Sequence, residues 1–232
     1  EYNLSPSARV TVEAFRKEYS QYPVSVVDGV SLANKGAGFE VLGNEAVVDT
    51  GSGLSKGIEV LFQQKLSNNF YGILAYTLFS SEFSGIDRVR LPSVWDSGNL
   101  LTFTGGYKLP KNWEVSLRYR YAGATPFAPT DTAVTLTTYP QVIIDYSRLG
   151  ENNLSTFKQG DFRLDKKWNF EKLSFNFYFE IQNFLAQENP RPDEYTLART
   201  DEGVLISPRE LVKIEREERN TPFPSFGFVF DF

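Results

Sequence analysis

Acidic residues in the second half of the chain are the first candidates for chemistry. Asp161, Asp165 and Glu180 could supply the two carboxylates that glycoside hydrolysis requires. Arg163 and the pair Lys166–Lys167 are interleaved with them. Opposite charges that face each other across neighbouring strands are an ordinary feature of β-sheets. The spacing therefore favours ion pairs along a sheet over a hydrolytic site.

Other catalytic arrangements are excluded by composition. The sequence has no histidine and no cysteine, so Ser-His-Asp and Cys-His catalysis, His-based metal sites and disulfides are impossible within it. The segment GSGLSKG, 51–57, is glycine-rich but lacks the spacing of a phosphate-binding loop and precedes a strand pattern; we interpret it as a flexible outer loop. We expect no enzymatic activity, cofactor or metal site, and the net charge of −5 argues against a nucleic-acid partner.

The charged residues recur at every second position, which is the period of a β-strand. Eight strands are predicted, at 8–19, 56–66, 70–83, 99–109, 113–123, 157–170, 173–184 and 221–232. Their lengths of about 10–13 residues exceed the usual strand in soluble sheets and are close to the span of a transmembrane β-strand. No apolar run approaches the roughly 20 residues of a spanning helix, and mean hydropathy is −0.32.

Alternation assigns the side chains of these strands to two faces. The last strand places four rings on one face, which we predict to meet lipid: Phe226, Phe228, Phe230 and Phe232. Polar residues on the opposite faces of three strands are predicted to line a wet lumen: Glu114, Arg118, Arg120, Asp161, Arg163, Asp165 and Glu180. In a soluble sandwich the same rings would form a core, and the charges would face solvent.

The connections between strands alternate in length. Short turns are predicted at 67–69, 110–112 and 171–172, and long loops at 20–55, 84–98, 124–156 and 185–221. Short periplasmic turns and long extracellular loops are typical of outer-membrane barrels. The predicted fold class is therefore all-β, with antiparallel transmembrane barrel strands.

The long loops carry two further candidates. SPRELVKIEREERN, 207–220, has Ser207 as a helix N-cap and Glu210 in a capping box, so we predict a short helix there. Four aromatic residues in the loops are candidate ligand contacts, because aromatic rings stack on sugars, peptides and aromatic ligands, or else they hold the loops to one another: Trp95, Tyr139, Tyr146 and Tyr195.

Five segments, in order, resemble the C-terminal barrel portion of TonB-dependent outer-membrane transporters, and in particular their Bacteroidetes branch. They are KGIEVLFQQKLSNNFYGILAYTLFSSEF (56–83), GATPFAP (123–129), FRLDKKWNF (162–170), EIQNFLAQENP (180–190) and PFPSFGFVFDF (222–232). GATPFAP departs from the family pattern by one extra residue before its first proline. The last segment is similar to the closing strand, whose terminal aromatic residue is the family's assembly signal.

The resemblance implies a 22-stranded barrel around an N-terminal plug, of which this chain would be the C-terminal segment, residues 1–232. The missing initiating methionine and the absence of a signal peptide fit a mature or partial chain. The implied function is import of an unidentified nutrient across the bacterial outer membrane. The implied partners are outer-membrane lipid, the remaining strands and plug, the periplasmic TonB protein and an extracellular ligand.

Two alternatives remain at this point. The strands could close on themselves as an eight-stranded outer-membrane barrel with a structural or adhesive role. In that case strand 8–19 would pair directly with 222–232. Alternatively, the chain could be a soluble β-sandwich.

Overall fold

The computed structural model describes residues 1–37, 41–215 and 220–232. Within these residues the chain forms fourteen strands and one α-helix. The strands are β1 (Tyr2–Ser5), β2 (Ala8–Ser25), β3 (Val47–Ser67), β4 (Phe70–Ser84), β5 (Arg90–Pro92), β6 (Asn99–Leu109), β7 (Trp113–Ala122), β8 (Pro126–Phe127), β9 (Asn152–Asn153), β10 (Phe157–Asn169), β11 (Ser174–Gln182), β12 (Tyr195–Leu197), β13 (Leu211–Lys213) and β14 (Phe223–Asp231). The helix is α1 (Thr132–Thr138), and single 3₁₀ turns lie at Leu32–Asn34, Pro110–Asn112 and Tyr146–Arg148.

One antiparallel sheet forms the body of the structure. Its strands follow the order β1-β2-β3-β4-β6-β7-β10-β11-β14, and β5 adds to β4. Two small sheets, β8-β9 and β12-β13, lie in the long loops. The predicted all-β class with antiparallel strands is confirmed. None of the helices in the described residues is both long and apolar enough to cross a membrane.

The sheet is open at both ends. β1 is paired with β2 alone and β14 with β11 alone, and β2 lies between β1 and β3. The pairing of 8–19 with 222–232 that a self-closed barrel requires is absent, although all these residues are described. The alternative of an eight-stranded closed barrel is therefore wrong. Nine strands run through the sheet rather than eight, because Tyr2–Ser5 adds a strand that the sequence pattern did not indicate.

The strand register divides the sheet into an outward and an inward face. Across β11 and β14, Phe175, Phe177 and Phe179 lie opposite Phe230, Phe228 and Phe226. The same face continues through β10, where Phe162 and Leu164 pair with Ile181 and Phe179. We call this apolar side the outward face. Most charged side chains of these strands occupy the alternate positions and form the inward face, whereas Lys158 and Lys166 lie on the outward face.

Connections alternate between the two rims of the sheet. Residues 6–7, 68–69, 110–112 and 170–173 make the short-turn rim, and 26–46, 85–98, 123–156 and 183–222 make the long-loop rim. Two strands continue far into the long-loop rim: β2 has 18 residues and β3 has 21. At about 3.3 Å per residue, β3 is roughly 70 Å long, well beyond the height of about 25 Å of an apolar membrane band.

Two interpretations of the loops need correction. Residues 51–57, expected to be a flexible loop, lie inside β3. The predicted helix at 207–220 is wrong for its described part, because Leu211–Lys213 forms β13 and pairs with Tyr195–Leu197; residues 216–219 lie outside the described residues. Cross-strand pairing satisfies the backbone there: the Ala198 amide donates to Glu210 and the Ile214 amide to Glu194.

Buried apolar side chains are concentrated at the long-loop rim: Val24, Ala33, Phe83, Ala128, Leu149, Leu197 and Ala198. Separate loops interlock around them. Asn34 donates to the carbonyls of Leu91 (3.1 Å) and Pro92 (2.8 Å), and the Val94 amide donates to Ala33 (3.2 Å). The core therefore lies in the loop layer, and the sheet below it exposes both faces.

Candidate functional site

The inward face of β7, β10 and β11 carries the polar residues that the sequence placed in a lumen. Strand pairing brings Arg118 directly opposite Asp161 and Arg163 directly opposite Glu180. Each strand contributes every second residue, so the groups form one polar surface across three neighbouring strands.

Asp161 is the most enclosed group of this surface, with 5% of the residue exposed. Arg118 holds its carboxylate through Nε at 2.9 Å and Nη2 at 2.8 Å. Gln159 donates to the same carboxylate at 3.1 Å, and the Asn183 amide donates at 3.0 Å. The carboxylate therefore anchors the start of the loop after β11 to the sheet, and its oxygens are occupied by donors.

Arg163 forms a second centre. It binds Asp165 with both Nε and Nη2, each at 2.8 Å, and lies 3.7 Å from Glu180. Its guanidinium stacks on the Tyr178 ring, 4.0 Å from the ring centre. Asn176 donates to Asp165 at 2.9 Å. Each of the three carboxylates, Asp161, Asp165 and Glu180, is thus associated with an arginine. No two of them form the free pair of carboxylates that glycoside hydrolysis requires.

The remaining two inward residues of the set have different environments. Arg120 donates through Nη2 to Gln159 at 2.7 Å, while its Nε is buried and has no partner among the described residues. Glu114 accepts a hydrogen bond from the Tyr71 hydroxyl, although it lies directly opposite Asp165. The tyrosine hydroxyl supplies a donor where two carboxylates would otherwise face each other.

Glycines on the inward face make room for two of the aromatic rings. A Cβ on Gly106 would overlap the Tyr71 ring, and a Cβ on Gly227 would overlap the Tyr178 ring. Glycine in a strand interior commonly marks such a close approach. In the sequence, Gly227 at an inward position of the last strand already indicates a close approach by a neighbouring group. It does not identify Tyr178 as the ring that covers it.

The four loop aromatics are each held by a different neighbour. Trp95 packs edge-on against Phe83, with ring centres 5.8 Å apart, and its indole donates to Ser81 at 3.2 Å. The Tyr139 hydroxyl lies 3.4 Å from that of Thr196. Tyr195 is in β12 opposite Lys213. Trp95 therefore packs on β4, whereas the Tyr139 contact joins loop 123–156 to loop 183–222; Trp95 still exposes 47% of its surface.

Tyr146 belongs to a lysine centre that sequence reasoning missed. Lys35, only 5% exposed, pairs with Asp28 at 2.6 Å and Glu45 at 2.8 Å, and lies 5.3 Å from the Tyr146 ring centre. Hydrogen bonds from Lys35 and then from Ser25 lower the pKa of Glu45 below its usual value. The centre joins loop 26–46 to loop 123–156, and no sequence period marks it. Across the described residues, acidic groups form no cluster suited to a metal ion.

Comparison with known proteins gives a likeness in structure and none in sequence. No protein-family model and no curated protein matches the chain. The ferripyoverdine receptor of the Pseudomonas aeruginosa outer membrane matches with a TM-score of 0.56 and 12% identity, over 98% of this chain and 25% of the receptor. The ferric-catecholate import receptor Fiu of Escherichia coli K12 matches with 0.53 and 12%, over 98% and 25%.

A third structure gives the same result. The siderophore receptor PiuA of Acinetobacter baumannii matches with a TM-score of 0.53 and 12% identity, over 98% of this chain and 26% of PiuA. The chain spans about a quarter of the length of these receptors. The resemblance indicated by the sequence motifs is thus confirmed at the level of the fold, and the chain has the fold of a segment of an outer-membrane receptor barrel.

Proposed function

We propose that residues 1–232 are the C-terminal part of the barrel of a TonB-dependent importer in the bacterial outer membrane. This proposal is supported mainly by the open sheet of nine strands, which is apolar on one face and mostly charged on the other. The outer edges of β1 and β14 have no strand partner among the described residues. Its likeness to a quarter of each receptor supports the assignment.

The unpaired edges support the presence of further strands in the same barrel. A sheet edge exposes a row of backbone donors and acceptors, and in a bilayer these groups have no water to satisfy them. β1 and β14 both present such edges. The remaining strands and the plug are supplied in this proposal by parts of the protein outside residues 1–232.

The outward face supports lipid as its surroundings. Phe226, Phe228 and Phe230 expose 69%, 55% and 55% of their surface, and Val12 at the far side of the sheet exposes 61%. A soluble sandwich would cover this face with a second sheet. Within the described residues, the only other sheets are the two-stranded ones in the loops.

The inward face and the loop layer then have separate roles. The arginine–carboxylate surface lines the passage and faces water or the plug, and the interlocked loops form the outer vestibule that meets the ligand. Coupling to TonB takes place through the N-terminal part of the protein. The matched structures are named a siderophore receptor, a ferripyoverdine receptor and a ferric-catecholate import receptor. Ferric siderophores are therefore the first ligands to test, and the proposed role is transport, not catalysis.

Genetics in the native host tests this function. The gene is deleted and complemented in strains with and without TonB, and growth is measured with iron or single carbon sources limiting. We expect a growth defect on one nutrient in the TonB-positive strain and no added defect without TonB. A defect that persists unchanged without TonB, or recovery of the protein in the soluble fraction, would overturn the proposal.

A further inference from the structure

Lys166 is a lysine on the apolar outward face of the sheet. The register of β10 places it directly opposite Trp113 on β7 and Phe177 on β11. Its chain neighbours on the same face are Leu164 and Trp168. A charged group among these residues requires either a partner or a route to a polar environment.

The contacts of Lys166 come from two indole rings and one carbonyl. Its ammonium lies 5.2 Å from the Trp113 ring centre and 5.4 Å from that of Trp168, and it donates to the Lys111 carbonyl. An ammonium has three donors, so two of them have no hydrogen-bond partner among the residues that the structure describes. The nearby carboxylates are engaged elsewhere: Asp165 binds Arg163, and Asp231 lies 3.5 Å from Lys167.

Lys166, Trp113 and Trp168 lie at the short-turn rim of the sheet. Trp113 begins β7 directly after the turn at Pro110–Asn112, and Trp168 is one residue from the end of β10. Phe175 stacks on Trp168 at 5.3 Å and continues the aromatic row toward β14. Aromatic residues with amphipathic rings mark the boundary between acyl chains and headgroups, and long lysine side chains extend toward it.

We propose that Lys166, Trp113 and Trp168 bind the phosphate of a phospholipid headgroup at this boundary. The ammonium supplies the positive charge and its two further donors, and the two indole N–H groups can donate to phosphate or glycerol oxygens. The apolar outward face beside them accommodates the acyl chains. The site rests on the proposed membrane location and adds to it a fixed lipid contact that sets the depth of the sheet.

The test uses the whole protein, purified from membranes in detergent and titrated with phosphatidylglycerol under native mass spectrometry. Lys166→Gln removes the charge, and Lys166→Arg retains it. Lys108→Gln is the matched control, because Lys108 lies near the same rim on the inward face, opposite Glu114. Inorganic phosphate in excess is added as a competitor, and each variant's fold is checked by its heat-dependent electrophoretic migration.

We expect Lys166→Gln to weaken phosphatidylglycerol binding about fivefold, the effect of one basic residue near an anionic lipid surface. Lys166→Arg and Lys108→Gln should bind as the wild type does, and inorganic phosphate should not displace the lipid. Equal losses in Lys108→Gln and Lys166→Gln, wild-type binding by Lys166→Gln, or displacement by inorganic phosphate would each overturn the lipid site. Failure of the wild-type protein to fractionate with membranes would instead overturn the proposed function.

Discussion

The ring of Tyr178 on β11 covers Gly227 on β14, directly across the strand pair. The Arg163 guanidinium lies 4.0 Å from the centre of the same ring. Gly227 in the last strand and Tyr178 in the preceding strand lie directly opposite each other, and Arg163 in the strand before that reaches the ring from a position two residues away, opposite Glu180. This stack joins the last three strands on the inward face, as Phe175 and Phe230, with ring centres 5.0 Å apart, join two of them on the outward face.

Replacing Gly227 with valine should displace the Tyr178 ring and break its stack on Arg163. A Cβ at this position would overlap the ring carbons, and overpacking of this kind costs about 1–3 kcal/mol. Urea unfolding of the refolded whole protein in detergent measures the loss. Val229→Ala, an inward change in the same strand at a residue that is 43% exposed, serves as the control. Equal stability of the two variants would show that the ring does not depend on the glycine.

The two-faced sheet could be predicted from the sequence because alternation is a local property. Trp113, Val115 and Leu117 against Glu114, Ser116 and Arg118 specify the faces of β7 without any knowledge of its neighbours. The pairing order then follows from short turns, since consecutive antiparallel strands are adjacent. Arg118 and Asp161 are 43 positions apart, yet they meet because both lie on inward positions of adjacent strands.

The loop layer could not be predicted in the same way. Lys35, Asp28 and Glu45 follow no period, and their meeting depends on long-range packing of several loops. The segment near Leu211 has good helix start signals, but local capping is outweighed when its backbone pairs with Tyr195–Leu197. β1 was missed because it is a four-residue edge strand, too short to show a clear alternation.

The depth of the outward face can be tested with lysine substitutions. Phe179 lies opposite Leu164 and Phe226, within the apolar band, whereas Phe177 lies opposite Lys166 near the short-turn rim. A lysine at the midplane costs about 2–4 kcal/mol and near an interface about 0–1 kcal/mol. Phe179→Lys should therefore destabilise the protein in lipid vesicles more than Phe177→Lys does.

Arg120→Gln is the inward-facing counterpart. It removes one hydrogen bond to Gln159 and a buried Nε that has no partner in the described part of the chain, so the loss should stay below about 1 kcal/mol. All three variants are compared by urea titration in the same vesicles. If Arg120→Gln were as costly as Phe179→Lys, the assignment of the two faces would be wrong.

Asp161 should control the anchoring of the loop that follows β11. In Asp161→Asn one acceptor oxygen becomes a donor, which then faces the guanidinium of Arg118 or the amide of Asn183. We expect a loss of about 1–3 kcal/mol, typical of an unsatisfied enclosed group, and faster hydrogen exchange at the Asn183 amide. Asp231→Asn, at an exposed pair with Lys167, should cost less than about 1 kcal/mol. Unchanged exchange at Asn183 would exclude the anchoring role.

Acid should loosen the loop layer through Glu45. Hydrogen bonds from Lys35 and Ser25 lower its pKa in the folded protein, while in the unfolded chain the pKa is about 4.3. A lowered folded-state pKa stabilises the fold fully above the unfolded value, and this contribution is lost as pH falls through the folded-state pKa. We therefore expect the Val26 amide, bonded to the Ala46 carbonyl at 2.9 Å, to lose exchange protection below about pH 4, after correction for intrinsic rates.

Glu45→Gln tests whether the acid-induced loosening comes from Glu45 or from Asp28, the other carboxylate paired with Lys35. Asp28 still pairs with Lys35 at 2.6 Å, so the variant keeps the lysine partnered and should retain the loop fold at neutral pH with a smaller acid-induced step. Glu151→Gln, at the exposed pair with Arg148, should leave the step unchanged. An acid-induced step in Glu45→Gln as large as in the wild type would assign the loosening to Asp28 or to groups outside this centre.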